Sequence, residues 1–189
     1  MAQAALFPLK HAIDALAHDG VIAYATESVW GLGCDPWSEQ AVSRLLAIKQ
    51  RPWQKGLILI AADMAQLEPL LGRVTPEQRL LMQSRWPGPV TWLVPVSEHI
   101  PRWLRGEHET LAMRVSAHAG VQQLCRAWGG PLVSTSANLS GQPACKTALQ
   151  VHLRLGGELD AIVPGHVSGA KRPSEIRDLI SQRVLRASA

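Results

Sequence analysis

Residues 119–141 read AGVQQLCRAWGGPLVSTSANLSG, and this stretch decides the fold class. Ala119 to Trp128 reads as a helix, and Gly129-Gly130-Pro131 stops it. Leu132 to Thr135 then resumes as an apolar strand. That strand runs directly into five hydroxyl or amide side chains: Ser134, Thr135, Ser136, Asn138 and Ser140. A plain turn needs only two or three such residues for its local backbone bonds. Ligands of open α/β sheets usually sit where strands end. Hydroxyls and amides placed there suit phosphate oxygens or a ribose.

The same alternation extends in both directions. Upstream, the spacing of Leu9, Ile13, Leu16 and Ala17 predicts a helix ended by Gly20, followed by a strand over Val21–Ala25 and a glycine-containing loop from Glu27 to Pro36. Ser38 caps a second helix that carries Val42, Leu45, Leu46 and Ile48 on one face. Leu57–Ala61 is a continuous apolar run fit for a buried strand. Asp63 caps a short helix to Leu71. Thr75-Pro76-Glu77-Gln78 opens another, with a cap, a proline at the first position and a glutamine three on. Trp86-Pro87-Gly88-Pro89 reads as a rigid turn. Strands follow over Val90–Val96 and Leu111–Ser116. Downstream of residue 141 come a helix over Ala148–Leu155 and short strands at Ala161–Val163 and Arg183–Leu185. Interleaved strands and helices in 189 residues, without repeat or long linker, give one α/β domain over residues 1–189.

Composition excludes several classes. Charged residues are 18% and hydrophobic residues 47%, so the chain is not disordered. Seven Trp stand beside one Tyr and one Phe, which is not the stacking platform of a single-strand binder. Three cysteines, Cys34, Cys125 and Cys145, form no CxxC pair and suit a reducing compartment. No secretory leader pattern and no apolar run of about 20 residues are present, so the expected location is the cytoplasm. The sequence lacks a Walker P-loop, a complete dinucleotide fingerprint, HExxH, GxSxG and any repeated metal-ligand spacing.

Charge distribution is more informative than the net +4. From Gln40 to Ala62 there is no acid, but there are Arg44, Lys49, Arg51 and Lys55. Cations at a helix C-terminus are common. Three on one short turn stiffened by Pro52 repel one another unless an anion compensates them, and a polyphosphate would do so. Residues 171–189 hold five basic and two acidic residues. Thr26, in the strand exit Tyr24-Ala25-Thr26-Glu27, precedes glycines that allow close backbone approach to a ligand. Arg114 ends the apolar run Leu111-Ala112-Met113, and it either pairs with a carboxylate or faces an anionic ligand.

Taken together, these pieces resemble the YrdC/TsaC family of threonylcarbamoyl-AMP synthases. The matching residues are Thr26-Glu27, Lys49-x-Arg51-Pro52, Trp86-Pro87-Gly88-Pro89 with Thr91, Arg114, Ser134-Thr135-Ser136-Ala137-Asn138-Leu139-Ser140-Gly141 and Pro173-Ser174. They stand in family order across nearly the whole chain. The resemblance implies a twisted, largely parallel mixed sheet flanked by helices, with a basic concave face. It implies that threonine, bicarbonate and ATP give threonylcarbamoyl-AMP and pyrophosphate. A partner of the same pathway then modifies the tRNA adenosine beside the anticodon.

By motif match, Lys49 and Arg51 are the expected catalytic residues and, with Lys55, hold the triphosphate. Ser134, Ser136, Asn138 and Arg186 are expected on ATP. Thr26, Thr91, Arg114 and Ser174 are expected on threonine. Mg²⁺ is expected to arrive with ATP, since the sequence offers no carboxylate cage. Many relatives carry Pro at Ala25, several carry Asn at Lys55 and His at Ile60, and the last motif usually has Thr where Glu175 stands. Ile60 therefore cannot supply the family contact to threonine. The competing reading is a non-catalytic module for double-stranded RNA or tRNA, supported by the basic charge. A protein-interaction scaffold would rest on exposure of Trp37 and Trp103.

Overall fold

A computed structural model of the chain describes residues 2–97 and 99–187, with side chains described from residue 8. The described residues form helices and strands in the order α1 (Ala2–Ala17), β1 (Ile22–Ala25), β2 (Trp30–Gly33), α2 (Glu39–Lys49), β3 (Ile58–Ala61), α3 (Pro76–Gln83), β4 (Val90–Pro95), α4 (Arg102–Arg105), β5 (Thr110–Val115), α5 (Ala119–Trp128), β6 (Leu132–Ser136), α6 (Ala148–Leu155), β7 (Ala161–Ile162), β8 (Glu175–Asp178) and β9 (Val184–Arg186). The helix signals act as read. Ser38 Oγ accepts the Ala41 N–H, Thr75 and Gln78 form a reciprocal capping box, and Gly129 closes α5 at φ 89°.

The strands form one sheet in the order β7-β1-β2-β6-β3-β5-β4-β8-β9. It is the mixed, helix-flanked α/β sheet expected, but parallel pairing is the minority. Among the described strands, β1–β7, β3–β5 and β4–β8 run parallel and the other pairs antiparallel. The four-residue connection between β1 and β2 is too short for a crossover and enforces a hairpin, and β6 runs antiparallel to both its neighbours.

Three elements differ from the sequence reading. The stretch expected as a loop over 27–36 contains β2, whose Trp-Gly-Leu-Gly composition hides a fully buried strand. Gly33 is required there, since a Cβ would stand 2.5 Å from the Val133 carbonyl and 2.8 Å from the Tyr24 ring. The helix expected over 63–71 is two 3₁₀ turns, Met64–Gln66 and Glu68–Leu70, because Pro69 has no N–H to continue an α-helix. β8, Glu-Ile-Arg-Asp, lacks the apolar run that would have marked it.

Side-chain alternation divides the core and creates the site. On one face, Ala23, Trp30, Leu32, Leu59, Trp92, Met113, Val115 and Val133 join the larger apolar cluster with residues of α2 and α6. On the other face, Ile22, Tyr24, Ile60 and Leu132 pack against Ala12 and Leu16 of α1 and Val121 and Leu124 of α5. These two helices cover only part of that face. Two residues further along the same strands, Ser134, Ile58, Ala112 and Leu93 stand in register across β6-β3-β5-β4 and remain uncovered. They floor a cavity.

Candidate active site

The cavity encloses about 600 Å³, within the range of small-molecule sites. It lies on a sheet face, not beyond the strand ends. Of the eleven site residues expected from sequence, ten line it: Thr26, Arg51, Lys55, Thr91, Arg114, Ser134, Ser136, Asn138, Ser174 and Arg186. Lys49 alone does not. Sequence reasoning missed Ser28, Arg105, His108 and Gln142, which also line the wall. Arg105 and His108 flank a tight turn at Gly106, where only packing against residues 54–56 brings them to the cavity. Among the described residues, none that lines it is acidic.

Lys49 sits beneath the wall, only 3% exposed. Its ammonium donates to the Ser136 carbonyl, to the Asn138 carbonyl at 2.8 Å and to Asn138 Oδ1 at 3.2 Å. Ser136 Oγ donates to the same Oδ1 at 2.5 Å. Asn138 Nδ2 donates to the Leu139 and Gln142 carbonyls at 2.8 and 2.7 Å. The amide is thus fixed at both ends. Burial, reinforced by the charge of Arg51, lowers the Lys49 pKa from its ordinary 10.5 to about 8.

Arg51 leaves α2 after Gln50, which holds a left-handed φ of 50° at the helix C-cap. Its Nη2 donates to the Gly56 carbonyl at 2.9 Å, while its buried Nε has no partner among the described residues. Burial lowers its pKa as well. Lys55 stands exposed on the 3₁₀ turn Trp53–Lys55. Arg44, in the same acid-free stretch, is spent elsewhere: it pairs with Asp160 at 2.6 Å on the surface.

The opposite end of the cavity is built from β4, β5, β8 and β9. Thr91 and Ser174 are buried and share a hydroxyl–hydroxyl bond of 2.9 Å. Arg186 donates to the Ser174 carbonyl at 2.7 and 3.1 Å and to its Oγ at 3.2 Å. Burial, then the neighbouring Arg114, lowers the Arg186 pKa. Arg114 meets both alternatives read from sequence: it lines the cavity and pairs with Glu27 at 2.6 Å. Thr26 Oγ1 donates to the Val29 carbonyl at 2.7 Å, shaping the turn.

The departures from the family pattern also find places. Ile60 lies opposite Arg114 in the β3–β5 register, within the apolar cluster and outside the cavity lining. Glu175 is engaged by Arg177 along β8 and likewise does not line the cavity. Trp37 is exposed, whereas Trp103 is half-buried and donates to the Pro36 carbonyl at 3.2 Å.

Among the described residues, no cluster of His, Cys, Asp and Glu could hold a metal. Nor is any helix among them long and apolar enough to cross a membrane. Fold and cavity together define an α/β protein whose sheet face carries a cation- and hydroxyl-lined pocket of nucleotide size.

The Sua5/YciO/YrdC family model, described as "Telomere recombination", matches residues 14–188. A threonylcarbamoyl-AMP synthase of Vibrio cholerae is 54% identical over 94% of this chain and 96% of its own. The structure of P. abyssi Sua5 complexed with L-threonine superposes with a TM-score of 0.84 at 32% identity, covering 90% of this chain. This chain spans about half the length of that protein, 50%. E. coli YciO superposes with a TM-score of 0.83 at 28% identity, over 94% of this chain and 87% of its own. The chain belongs to the Sua5/YciO/YrdC family, and its curated relatives carry the name of an enzyme.

Proposed function

We propose that the protein, acting as one YrdC-like domain over residues 1–189, joins L-threonine, bicarbonate and ATP into L-threonylcarbamoyladenylate and releases pyrophosphate. The observation that carries this reading is the convergence of ten motif residues, from seven separated stretches of sequence, on one cavity that no acidic side chain lines among the described residues. The name of the Vibrio relative and the threonine complex of P. abyssi Sua5 support the substrates.

The chemistry needs orientation and charge stabilisation more than a protein nucleophile. Bicarbonate takes up a proton and loses water to give CO₂; the threonine amine attacks the CO₂ and loses a proton, giving a carbamate. A carbamate oxygen attacks the α-phosphorus, and the bond to pyrophosphate breaks. Two anionic reactants repel, so the protein must hold both and offset charge on the leaving group. Arg51, Lys55, Ser134, Ser136 and Asn138 hold the nucleotide, with Arg105 and His108 added to its phosphate end. Thr26, Thr91, Ser174, Arg114 and Arg186 hold the amino acid. Arg186, expected from sequence on ATP, thus moves to the threonine end because it binds Ser174 and adjoins Arg114. Lys49 supports the Ser136–Asn138 wall from behind. Mg²⁺ enters on the phosphates of ATP. The product would serve tRNA modification in the cytoplasm, through a separate transferring partner.

Pyrophosphate release measured with each substrate omitted in turn tests this. Release should require threonine and bicarbonate together. Release from ATP alone, or none with all three, would refute it. Duplex RNA binding with a steep salt dependence and no turnover would instead favour the non-catalytic module.

A further inference from the structure

Glu27 has no role in the reaction as outlined, yet its carboxylate is among the most heavily engaged groups near the cavity. It follows β1, and its partner Arg114 lies on β5, with β2, β6 and β3 between them in the sheet. The contact therefore ties the β1–β2 turn across the sheet face. Oε2 accepts from Arg114 Nη2 at 2.6 Å, and Oε1 accepts from Ser116 Oγ at 2.7 Å and from the Ala117 N–H at 3.1 Å. The Glu27 and Arg114 side chains are 13% and 9% exposed, so water screens the pair little.

The turn that carries Glu27 is itself anchored. Its carbonyl accepts the Ala170 N–H at 3.0 Å, and that of Thr26 accepts the Ser168 N–H at 3.4 Å. Thr26 and Ser28, on either side of Glu27, line the cavity, whereas Glu27 does not. Arg114 is different. Its Nε and Nη1 donate to no protein group among the described residues and are not sealed from solvent, so they remain available to a ligand.

Charge divides the cavity in the same way. At the Lys55 end, Arg51, Lys55 and Arg105 have no carboxylate partner among the described residues. At the Arg114 end, one of two adjacent arginines is neutralised. An uncompensated Arg114–Arg186 pair would attract a second polyanion, whereas a compensated one suits a ligand with a single carboxylate.

We propose that Glu27 is a positioning and specificity-determining residue: it fixes the Arg114 guanidinium and sets the charge of that end so that an amino-acid carboxylate, not a phosphate chain, is accepted there. This rests on the proposed function for the identity of the amino acid, but the selection between anions stands on the ion pair itself.

The test compares wild type, Glu27→Gln and the conservative Glu27→Asp by calorimetric binding of threonine, ATP and inorganic pyrophosphate, with steady-state turnover and thermal midpoints in parallel. Glu27→Gln keeps acceptors for Ser116 and Ala117 but removes the charge. Threonine affinity and KM should worsen at least about tenfold, as expected on breaking a buried pair. ATP affinity should stay near wild type, and pyrophosphate should bind more tightly as Arg114 loses its counter-charge. Glu27→Asp should restore threonine binding at least in part. A purely structural role would weaken all three ligands together and would overturn the proposal, as would unchanged threonine binding in Glu27→Gln. If Glu27→Gln does not fold, Glu27→Asp decides, because its shorter reach should weaken threonine and spare ATP. A wild type that binds pyrophosphate but never threonine would count against the proposed function, while the pyrophosphate comparison would still read the role of Glu27.

Discussion

Lys49 and Asn138 are bound to each other through both the backbone and the side chain of the asparagine, at 2.8 and 3.2 Å. The link is returned: the Ser140 N–H and Oγ both donate to the Lys49 carbonyl at 2.9 Å. The end of α2 and the loop after β6 are therefore one unit. Every proton of the ammonium is directed at Ser136 and Asn138, which puts Lys49 behind the Ser136–Asn138 wall of the cavity.

On the proposed function, this arrangement should make turnover pH-dependent. A neutral amine has only two N–H groups for three acceptors. Turnover should fall as pH rises through about 8, the lowered pKa of Lys49. Lys49→Arg, charged throughout, should lack that alkaline limb, and Lys49→Ala should abolish pyrophosphate release. Stability should respond with the opposite sign. Between about 8 and 10.5 the unfolded chain holds more protons than the folded one, so the Lys49 contribution rises with pH there. Rate profiles and denaturant melts over pH 7–10 read both.

Asn138→Ala leaves the Lys49 ammonium short of one acceptor and the Leu139 and Gln142 carbonyls short of a donor. ATP affinity should fall several-fold, because these part-buried bonds hold the wall in shape and their loss lets it relax. Threonine affinity should change little. Direct titration of each ligand checks the separation.

Gly106 adopts φ +66°, and a Cβ there would stand 2.2 Å from the Gln54 carbonyl. Gly106→Ala must push the turn bearing Lys55 away from the turn bearing Arg105 and His108. The expected cost is about 1–3 kcal/mol in stability, as for overpacking elsewhere. ATP affinity should also weaken at temperatures where the fold persists. Denaturant midpoints and ATP titration together check this.

Burial raises the Glu27 carboxyl, but Arg114, Ser116 and backbone N–H groups outweigh it and hold the pKa below its ordinary 4.5. A depressed carboxyl contributes stability above its unfolded value and loses it as pH falls through the folded value. Wild type should therefore lose stability below about pH 4.5 more steeply than Glu27→Gln. Equal acid profiles for the two proteins would contradict the assignment.

Much of this was legible in the sequence because local signals carried it. Ser38, the Thr75–Gln78 pair and Gly129 act at the helix ends where they stand. The polar block after Leu132-Val133 marks one wall of the cavity. What local chemistry could not give depends on distant partners. β2 is a strand because its glycines allow Val133 and Tyr24 to close on it. Lys49 reads as a phosphate ligand until the loop after β6, about 90 positions away, claims its protons. Arg105 and His108 carry no motif, and a turn packed against residues 54–56 delivers them. Glu27 stood beside Thr26 in a recognised motif, but only the folded sheet reveals Arg114 as its partner.

The most direct measurement is mass spectrometry of the protein incubated with ATP, threonine and ¹⁸O-labelled bicarbonate. A mixed anhydride of threonine carbamate and AMP should appear only with all three present, carrying label in its carbamoyl group, while the released pyrophosphate stays unlabelled. Label in the pyrophosphate, or ATP cleavage without the anhydride, would contradict a cavity built to join carbamate to the α-phosphate.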